Sequence, residues 1–212
     1  MKTMCGRFTF TGRQWPTFVS ASVPEIEPKF NISPQDDTPV IHFDSRQPVI
    51  TSMQWGLRPH WSKKSTMEPI NARLETVEAK PMFRQAFDER RCLIPANGWY
   101  EWKTTPRGKV PFYHRAADES LLLMAGIYEL WNGESEVLHT FTILTQEACS
   151  DVGHIHNRMP VLIDEQAANL WLAEKIVKEA STKFTVHPVG REVNKTTAQG
   201  EQLIQPLRTL FD

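Results

Sequence analysis

Residues 121–146 read LLLMAGIYELWNGESEVLHTFTILTQ, and this stretch decides the fold. Its two apolar runs, 121–130 and 138–146, are rich in Leu, Ile and Phe, as is typical of buried strands at the centre of a sheet. Asn132-Gly133 lies between the runs, and this dipeptide favours the tight turn of a β-hairpin. The stretch therefore predicts a central antiparallel pair of strands.

The rest of the chain predicts many strands and few helices. Pro81 suits the first turn of a helix over about 81–88, and Asp164 suits the N-cap of a second helix that ends near residue 175. A brief helical piece at 14–21, a loop at 30–34 and an extended tail at 202–206 are also expected. Further strands are predicted at residues 7–11, 38–43, 48–55, 91–96, 98–102, 111–116 and 184–189.

This order of elements indicates an α+β fold. We expect a single domain over residues 1–212, with an antiparallel, partly closed, barrel-like β-sheet and a few short helices. The chain has 212 residues, of which 40% are hydrophobic, and that is enough to bury one substantial core.

Composition argues against membrane, secreted and metal-binding classes. No run approaches the roughly 18 consecutive apolar residues of a membrane span, and the start of the chain lacks the apolar segment of a secretory signal. The cysteines Cys5, Cys92 and Cys149 are odd in number and lack metal-ligand spacing, which argues against a disulfide framework or a zinc ribbon. We expect a cytoplasmic protein, monomeric by default, with no metal and no cofactor.

Charge is unevenly distributed along the chain. The net charge is −1, but residues 54–115 carry 12 Lys and Arg against 6 Asp and Glu, a local +6 that leaves −7 for the remainder. One basic face could bind a phosphate backbone, although a solvated surface without a partner gives the same count.

Cys5 could act as an unusual nucleophile if the peptide bond before it were opened. It would then carry a thiol and a free α-amine on neighbouring carbons, a pair that no internal cysteine offers. An amine with a pKa of roughly 7.7–8.0 is partly unprotonated at neutral pH and can condense with an aldehyde, after which the sulfur closes a thiazolidine ring. The alternative is a small buried apolar residue at the start of a strand.

Glu101 lies among aromatic residues in Trp99-Tyr100-Glu101-Trp102. Strand alternation would put Trp99 and Glu101 on one face and the other two rings on the opposite face. A carboxylate against apolar rings is expected to have a raised pKa, which suits proton transfer. The alternative is a surface glutamate paired with a Lys or Arg.

Two further stretches have residue types that suit nucleic-acid chemistry. Trp61 lies in a predicted surface loop, 56–67, that is rich in cations, a mixture that favours single-stranded nucleic acid, although a tryptophan in the core is the other possibility. His156 comes two residues before Arg158, as an acid or base beside a phosphate anchor would. His154 and His156 could also be metal ligands, but no acidic or cysteine partner stands at a useful spacing.

Together these blocks resemble the SRAP family, the SOS response-associated peptidases, which are abasic site-processing proteins. The likeness covers nearly the whole chain, and the joint order of the blocks is more specific than any one of them. The matching blocks are Cys5-Gly6-Arg7-Phe8, Phe30-Asn31-Ile32-Ser33-Pro34, Trp55-Gly56 with Pro59 and Trp61, Ile70-Asn71-Ala72-Arg73 with Glu75-Thr76, Arg91-Cys92, Pro95, Gly98-Trp99-Tyr100-Glu101-Trp102, His156-Asn157-Arg158-Met159-Pro160-Val161, His187-Pro188-Val189 and Val193-Asn194.

The resemblance implies covalent capture of an abasic site in single-stranded DNA. Cys5 would be the nucleophile, and Asn71, Glu101 and His156 would complete the active site. Phosphates would be held by Arg7, Arg73 and Arg158, and the DNA path would be shaped by Asn31, Pro34 and Trp61.

The chain departs from the family pattern in two places. The family begins at Met-Cys, whereas Met1-Lys2-Thr3 precede Met4 here, so either translation begins at Met4 or the protein cleaves the Met4-Cys5 bond itself. Ser62 stands where some relatives have another aromatic residue, and loss of one stacking ring could weaken DNA binding by about 1–3 kcal/mol.

Two other functions fit the same residue types. A cysteine peptidase or amidohydrolase acting in trans could use Cys5, His156 and Asn71. A non-catalytic module that binds single-stranded DNA would not need Cys5 at all.

Overall fold

Two β-sheets form the body of the molecule in a computed structural model that describes residues 6–19, 23–62, 68–133 and 137–207. The helices are α1 (Pro81–Glu89), α2 (Ser150–Gly153) and α3 (Ala168–Glu174), with 3-10 turns at Leu74–Thr76, Glu165–Ala167, Arg191–Asn194 and Glu201–Ile204. The strands are β1 (Arg7–Phe10), β2 (Lys29–Ile32), β3 (Asp37–Asp44), β4 (Gln47–Trp55), β5 (Asn71–Arg73), β6 (Arg91–Ala96), β7 (Gly98–Thr105), β8 (Gly108–Ala116), β9 (Leu122–Asn132), β10 (Val137–Glu147), β11 (Arg158–Pro160) and β12 (Phe184–Pro188).

The stretch at 121–146 forms the expected central pair. Strands β9 and β10 are antiparallel, with Leu138 opposite Trp131 and Phe141 opposite Tyr128. Pairing then continues from β9 to β6, β3 and β4, and β4 returns to β10 as a parallel neighbour. The ring is therefore closed, which confirms the barrel-like α+β prediction and adds one parallel pair to it.

The second sheet is open and contains five strands in the order β12-β8-β7-β1-β2. All its pairings are antiparallel. Strand β1 lies between β2 and β7, so hydrogen bonding on both edges holds the start of the described chain.

One large core joins the two sheets. Phe8 of β1 meets Trp55 of β4 edge to face, with ring centroids 5.2 Å apart, and the Trp55 indole donates to Ile70 O at 2.8 Å. Trp55 is fully buried, so it belongs to the core. Helices α1 and α3 cover another face of the barrel with Phe83, Phe87 and Trp171.

Both edges of β10 change partner near its C-terminal end. One edge leaves β4 and pairs with β5 in parallel, with Ile143 opposite Asn71. The other edge leaves β9 and pairs with β11, with Glu147 opposite Arg158. Two segments that are distant in sequence therefore flank the same end of one strand.

Three local predictions were wrong within the described residues. Residues 14–19 contain no helix. Pro16 has no backbone N–H, so it cannot donate one of the hydrogen bonds that a helix would need there. Residues 29–32 form β2, because Phe30 and Ile32 are buried and Ile32 pairs with Phe8. The tail forms a 3-10 turn at Glu201–Ile204, where Leu203 is buried. No described helix is long and apolar enough to span a membrane.

His114 on β8 is buried against an aromatic ring. Its imidazole stacks on Trp99 with centroids 4.8 Å apart, and its side chain is 1% exposed. Burial lowers the pKa of His114 to about 3, because the charged form loses its hydration. The folded protein therefore keeps this ring neutral under conditions in which the unfolded chain binds a proton.

In the His114→Gln variant, the free energy of unfolding is expected to fall less steeply as the pH is lowered. As pH falls from about 6.5 toward 3, protonation favours the unfolded wild-type chain, with a slope of up to about 1.4 kcal/mol per pH unit from this one residue. Urea unfolding at several pH values measures the slope. Equal slopes in wild type and His114→Gln would contradict the assignment.

Candidate active site

An open cleft of about 640 Å³ lies where β1 begins and β7 extends past it. One wall comes from β7 and β8, and the other comes from the segment after α2. The lining residues are Gly6, Arg7, Glu101, Trp102, Lys103, Thr104, Lys109, Gly153, His154, Ile155, His156 and Asn157.

Strand register sets the position of Gly6 in this cleft. Phe8 pairs with Trp99 and Arg7 pairs with Tyr100, so one further antiparallel step brings Gly6 level with Glu101. Gly6 is buried. Cys5, the candidate nucleophile, lies outside the described residues, and one peptide bond joins it to Gly6.

Glu101 is buried at 3% exposure, as its position among aromatic residues predicted. Trp99, two residues earlier on the same face, belongs to the main core, whereas Tyr100 lies on the other face against Tyr113. The Tyr100 hydroxyl donates to Phe30 O at 2.8 Å, which fixes β7 against β2. The interpretation of Glu101 as a surface glutamate was therefore wrong.

His156 lies on the opposite wall with a defined ring orientation. The backbone N–H of Arg158 donates to His156 Nδ1 at 3.1 Å. Nδ1 also lies 3.4 Å from the carbonyl oxygen of Arg158, so the backbone of Arg158 holds the ring in place through this nitrogen.

Asn71 and Arg73 share one face of β5. Ala72 between them is buried, and alternation sends its neighbours to the other side of the strand. Parallel pairing with β10 aligns Asn71 with Ile143 and Arg73 with Thr145. The position of β5 on β10 thus brings Asn71 and Arg73 to the end of β10 that also carries β11.

Arg158 already has a protein carboxylate as its partner. Its guanidinium forms a two-point ion pair with Glu75, with Nη2 to Oε2 at 2.8 Å, and it also donates to Thr145 O. This hydrogen-bonded pair lowers the pKa of Glu75 below its ordinary value, so the carboxylate stays ionised into acidic pH. The Arg158 side chain is only 12% exposed.

Arg7 differs from Arg158 in lacking a paired carboxylate. Within the described part of the chain its guanidinium forms no ion pair, and Nη1 donates to Gly6 O at 2.7 Å. Burial lowers the pKa of Arg7, and the more distant Asp36 acts in the opposite direction. A partly desolvated cation of this kind is well suited to bind an added anion.

The side chain of Asn31 lies in the interior and holds two segments of the chain together. Its side chain is fully buried, and its amide donates to the backbone carbonyls of Val193, Lys195 and Ala198 at 2.9–3.3 Å. These bonds hold the C-terminal segment against β2. The role in shaping the DNA path that the resemblance implies for Asn31 stays a prediction, and the described contacts of its amide are with the protein backbone.

Pro34 is partly exposed in the turn that follows β2. The Asp36 carboxylate closes this turn by accepting from the Ser33 N–H at 2.8 Å and from the Ser33 hydroxyl at 2.9 Å. Because β2 pairs with β1, the turn comes close to the start of β1 and to Arg7. Pro34 therefore lies where it could contact a ligand that enters the cleft.

Trp61 is 60% exposed on a loop that is held at both sides. Before it, His60 contacts the buried Glu129 at 3.2 Å. After it, the carbonyl of Ser62 accepts from the Trp131 indole at 2.6 Å. Such contacts present the ring to solvent in a fixed place, as a stacking surface for a base requires.

Sequence reasoning missed several residues of this region. Glu75 was noted only within a motif, and the lysines Lys103 and Lys109 were not singled out. The signal for Glu75 lay in its spacing from Arg73, but its pairing with Arg158 depends on the neighbours of β10. Within the described residues no group of three or more His, Cys, Asp or Glu side chains could hold a metal ion.

Comparison with known proteins gives consistent matches over most of the chain. Residues 4–196 match the family described as SOS response associated peptidase (SRAP). The chain is 36% identical over 182 residues to the abasic site processing protein YoqW of Bacillus subtilis, covering 81% of each. It is 30% identical to the abasic site processing protein YedK of Escherichia coli, covering 96% of this chain and 100% of that one.

Solved structures share the fold. A crystal structure of a protein from Bacteroides thetaiotaomicron superposes with a TM-score of 0.79 at 23% identity, covering 95% of this chain and 99% of that one. A phage-related protein from Bordetella bronchiseptica gives a TM-score of 0.70 at 27% identity, with 92% and 99% covered.

Asn31→Ala is expected to lower stability without changing the affinity of the folded protein for single-stranded DNA. The variant leaves buried carbonyls without their donor, which costs about 1–3 kcal/mol. Chemical denaturation measures the loss, and substitution of the exposed Asn169 of α3 by alanine should stay within about 0.5 kcal/mol of wild type. Weaker DNA binding at unchanged stability would show that Asn31 acts on the ligand.

Proposed function

The chain belongs to the SRAP family, and from this premise we propose that it processes abasic sites in DNA. The relatives from Bacillus subtilis and Escherichia coli bear the name abasic site processing protein. The observation that carries the proposal is the cleft, in which the residue after Cys5 lies beside a buried glutamate and an oriented histidine.

The proposed reaction is covalent capture by Cys5. Ring opening of the abasic deoxyribose exposes an aldehyde, and the free α-amine of Cys5 adds to it and expels water to give an imine. The thiol sulfur then adds to the imine carbon while a proton moves to the nitrogen, which closes a thiazolidine. One water leaves in total and no redox partner is needed.

Glu101 and His156 are proposed to move the protons of this sequence. The closed hemiacetal needs an acid or base to open, and loss of water from the first adduct needs an acid. Both side chains line the cleft that contains Gly6. Asn71 is proposed to orient the sugar or the developing oxyanion through its amide.

The DNA is proposed to enter as a single strand. Arg7, without a paired carboxylate among the described residues, would bind a phosphate near the start of β1, and Arg73 would bind another beside β5. Trp61, exposed on its braced loop, would stack on a base, and Pro34 would shape the path. A sugar without a base costs little to unstack, which favours an abasic site over an intact nucleotide.

A free amine on Cys5 requires that residues 1–4 be absent. Translation from Met4 followed by removal of that methionine would achieve this. Alternatively, the protein would hydrolyse the Met4-Cys5 bond itself, consuming one water and giving a carboxylate on Met4 and the amine on Cys5. The family description as a peptidase supports the second route.

A thiol hydrolase acting on other proteins is the competing proposal. It needs the Cys5 thiolate and a base but neither the free amine nor a cationic cleft. The cleft carries Arg7, Lys103 and Lys109 against one carboxylate, Glu101, and that balance favours a polyanion over a general peptide substrate.

A heat-stable, one-to-one adduct is expected when the protein meets single-stranded DNA whose uracil has been excised by a glycosylase. Denaturing gel electrophoresis and intact mass spectrometry should show it, with residues 1–4 missing from the protein component. Cys5→Ala should form no heat-stable adduct, because it removes the sulfur that closes the ring, and an imine formed by the remaining α-amine is readily hydrolysed.

Two controls separate this outcome from others. Cys149→Ala removes an exposed cysteine elsewhere and should crosslink like wild type. A tetrahydrofuran analogue of the abasic site has no aldehyde, so it should bind without crosslinking. An adduct of equal yield from Cys5→Ala would reject the mechanism.

Glu101→Gln and His156→Ala are expected to slow crosslinking by about 10²-fold or more at saturating DNA, since each removes a proton-transfer group. Single-turnover kinetics measure the rates. His154→Ala, which changes the other histidine of the cleft, should stay within about twofold of wild type. Unchanged rates in both variants would show that other groups move the protons.

A further inference from the structure

The cleft has a cationic wall on the β7–β8 hairpin. Lys103 and Lys109 both line the cleft that contains Gly6, Glu101 and His156. Lys103 comes two residues after Glu101 on β7, and Lys109 approaches from β8 at the closed end of the hairpin.

The hairpin that carries these two lysines has an open strand edge. Strand β1 pairs with β7 only as far as Tyr100, so beyond that point the described residues leave this edge of β7 without a paired strand. Lys103 pairs with Val110 and Lys109 pairs with Thr104, so alternation places the two side chains on opposite faces of the hairpin. The end of the hairpin beside the cleft therefore carries one cation on each face.

Glu101 is the one carboxylate among the described residues that line the cleft with these lysines. Neither lysine forms an ion pair among the described residues. Two other surface cavities differ in charge. One carries Asp118, Asp164 and Glu165 with Lys183, and the other carries Glu27 and Asp37 with Lys29.

The two walls of the cleft come from different parts of the fold. The wall at 153–157 continues into Arg158 and, across β10, to Arg73. The wall with the lysines belongs to the five-stranded sheet. Arg158 is paired with Glu75, so the cation that the wall at 153–157 offers to an extended polyanion is Arg73, while the lysines face the polyanion from the other wall.

We propose that Lys103 and Lys109 bind backbone phosphates on one flank of the abasic sugar, opposite the flank that Arg73 contacts. This inference rests on the proposed function, because it assumes that single-stranded DNA occupies the cleft. Lysine binds phosphate as a point charge, so the contact is independent of sequence and sensitive to salt.

The test compares wild type with Lys103→Gln/Lys109→Gln by fluorescence anisotropy over a series of salt concentrations. The probe is a labelled single-stranded oligonucleotide with a central tetrahydrofuran abasic analogue. The slope of log affinity against log salt should become less negative by about 0.7 for each lysine lost.

A matched variant controls for total charge. Lys178→Gln/Lys183→Gln removes the same charge from exposed lysines outside the cleft and should keep the wild-type slope. An equal change in both double variants would show general electrostatic attraction and overturn the proposal.

Oligonucleotides with DNA on only one side of the abasic analogue test whether the lysines bind phosphates on a single side of the sugar. With the analogue at the 5′ end of one oligonucleotide and the 3′ end of another, the slope difference should persist with one probe and vanish with the other. Persistence with both, or absence from the central probe, overturns the lysine assignment. Failure of wild type to crosslink abasic DNA would instead reject the proposed chemistry, whatever the slopes show.

Discussion

The pairing of β1 on both of its edges is the constraint on which the site depends. Strand β1 is short, but it lies between β2 and β7, and Phe8 packs on Trp55 of the barrel. The register with β7 cannot slip by one residue without turning Phe8 and Phe10 out of the core. The same register brings Gly6 level with Glu101, so core packing determines where this glycine lies relative to the carboxylate.

The second determinant is the exchange of neighbours along β10. Along one edge of β10, pairing passes from β4 to the short strand β5. Along the other edge, it passes from β9 to the short strand β11. Residues 71–73 and 158–160 therefore lie on opposite sides of the same strand end, although they are far apart in sequence. The barrel acts as a rigid support, while the polar side chains come from β5, β11 and the turn before β11.

Sequence reasoning recovered the elements that have strong local signals. These elements follow from the spacing of apolar residues and from turn-forming residues within a short stretch of chain. They are the hairpin at 121–146, the helix that begins at Pro81 and the alternation through Trp99-Tyr100-Glu101-Trp102. Asn31 could not be assigned in this way, because its role depends on carbonyls more than 160 residues away. The tail at 201–204 and strand β2 depend on tertiary burial for the same reason. The grouping of Asn71, Glu101 and His156 as active-site residues came from the family resemblance, because no local pattern encodes which strands adjoin β10.

The cations near the cleft differ in how much binding energy a phosphate could gain from them. Arg158 is held by Glu75 and a backbone carbonyl, so a phosphate would have to replace a carboxylate that already satisfies the same donors. Exchange of one anion for another gains little, since ion pairs with an exposed partner are typically worth about 0.2–1 kcal/mol. Arg7, Lys103 and Lys109 form no ion pair among the described residues, so a phosphate would not have to displace a carboxylate from them. Arg158 is therefore better placed to fix the backbone that orients His156, and the unpaired cations are better placed to attract DNA.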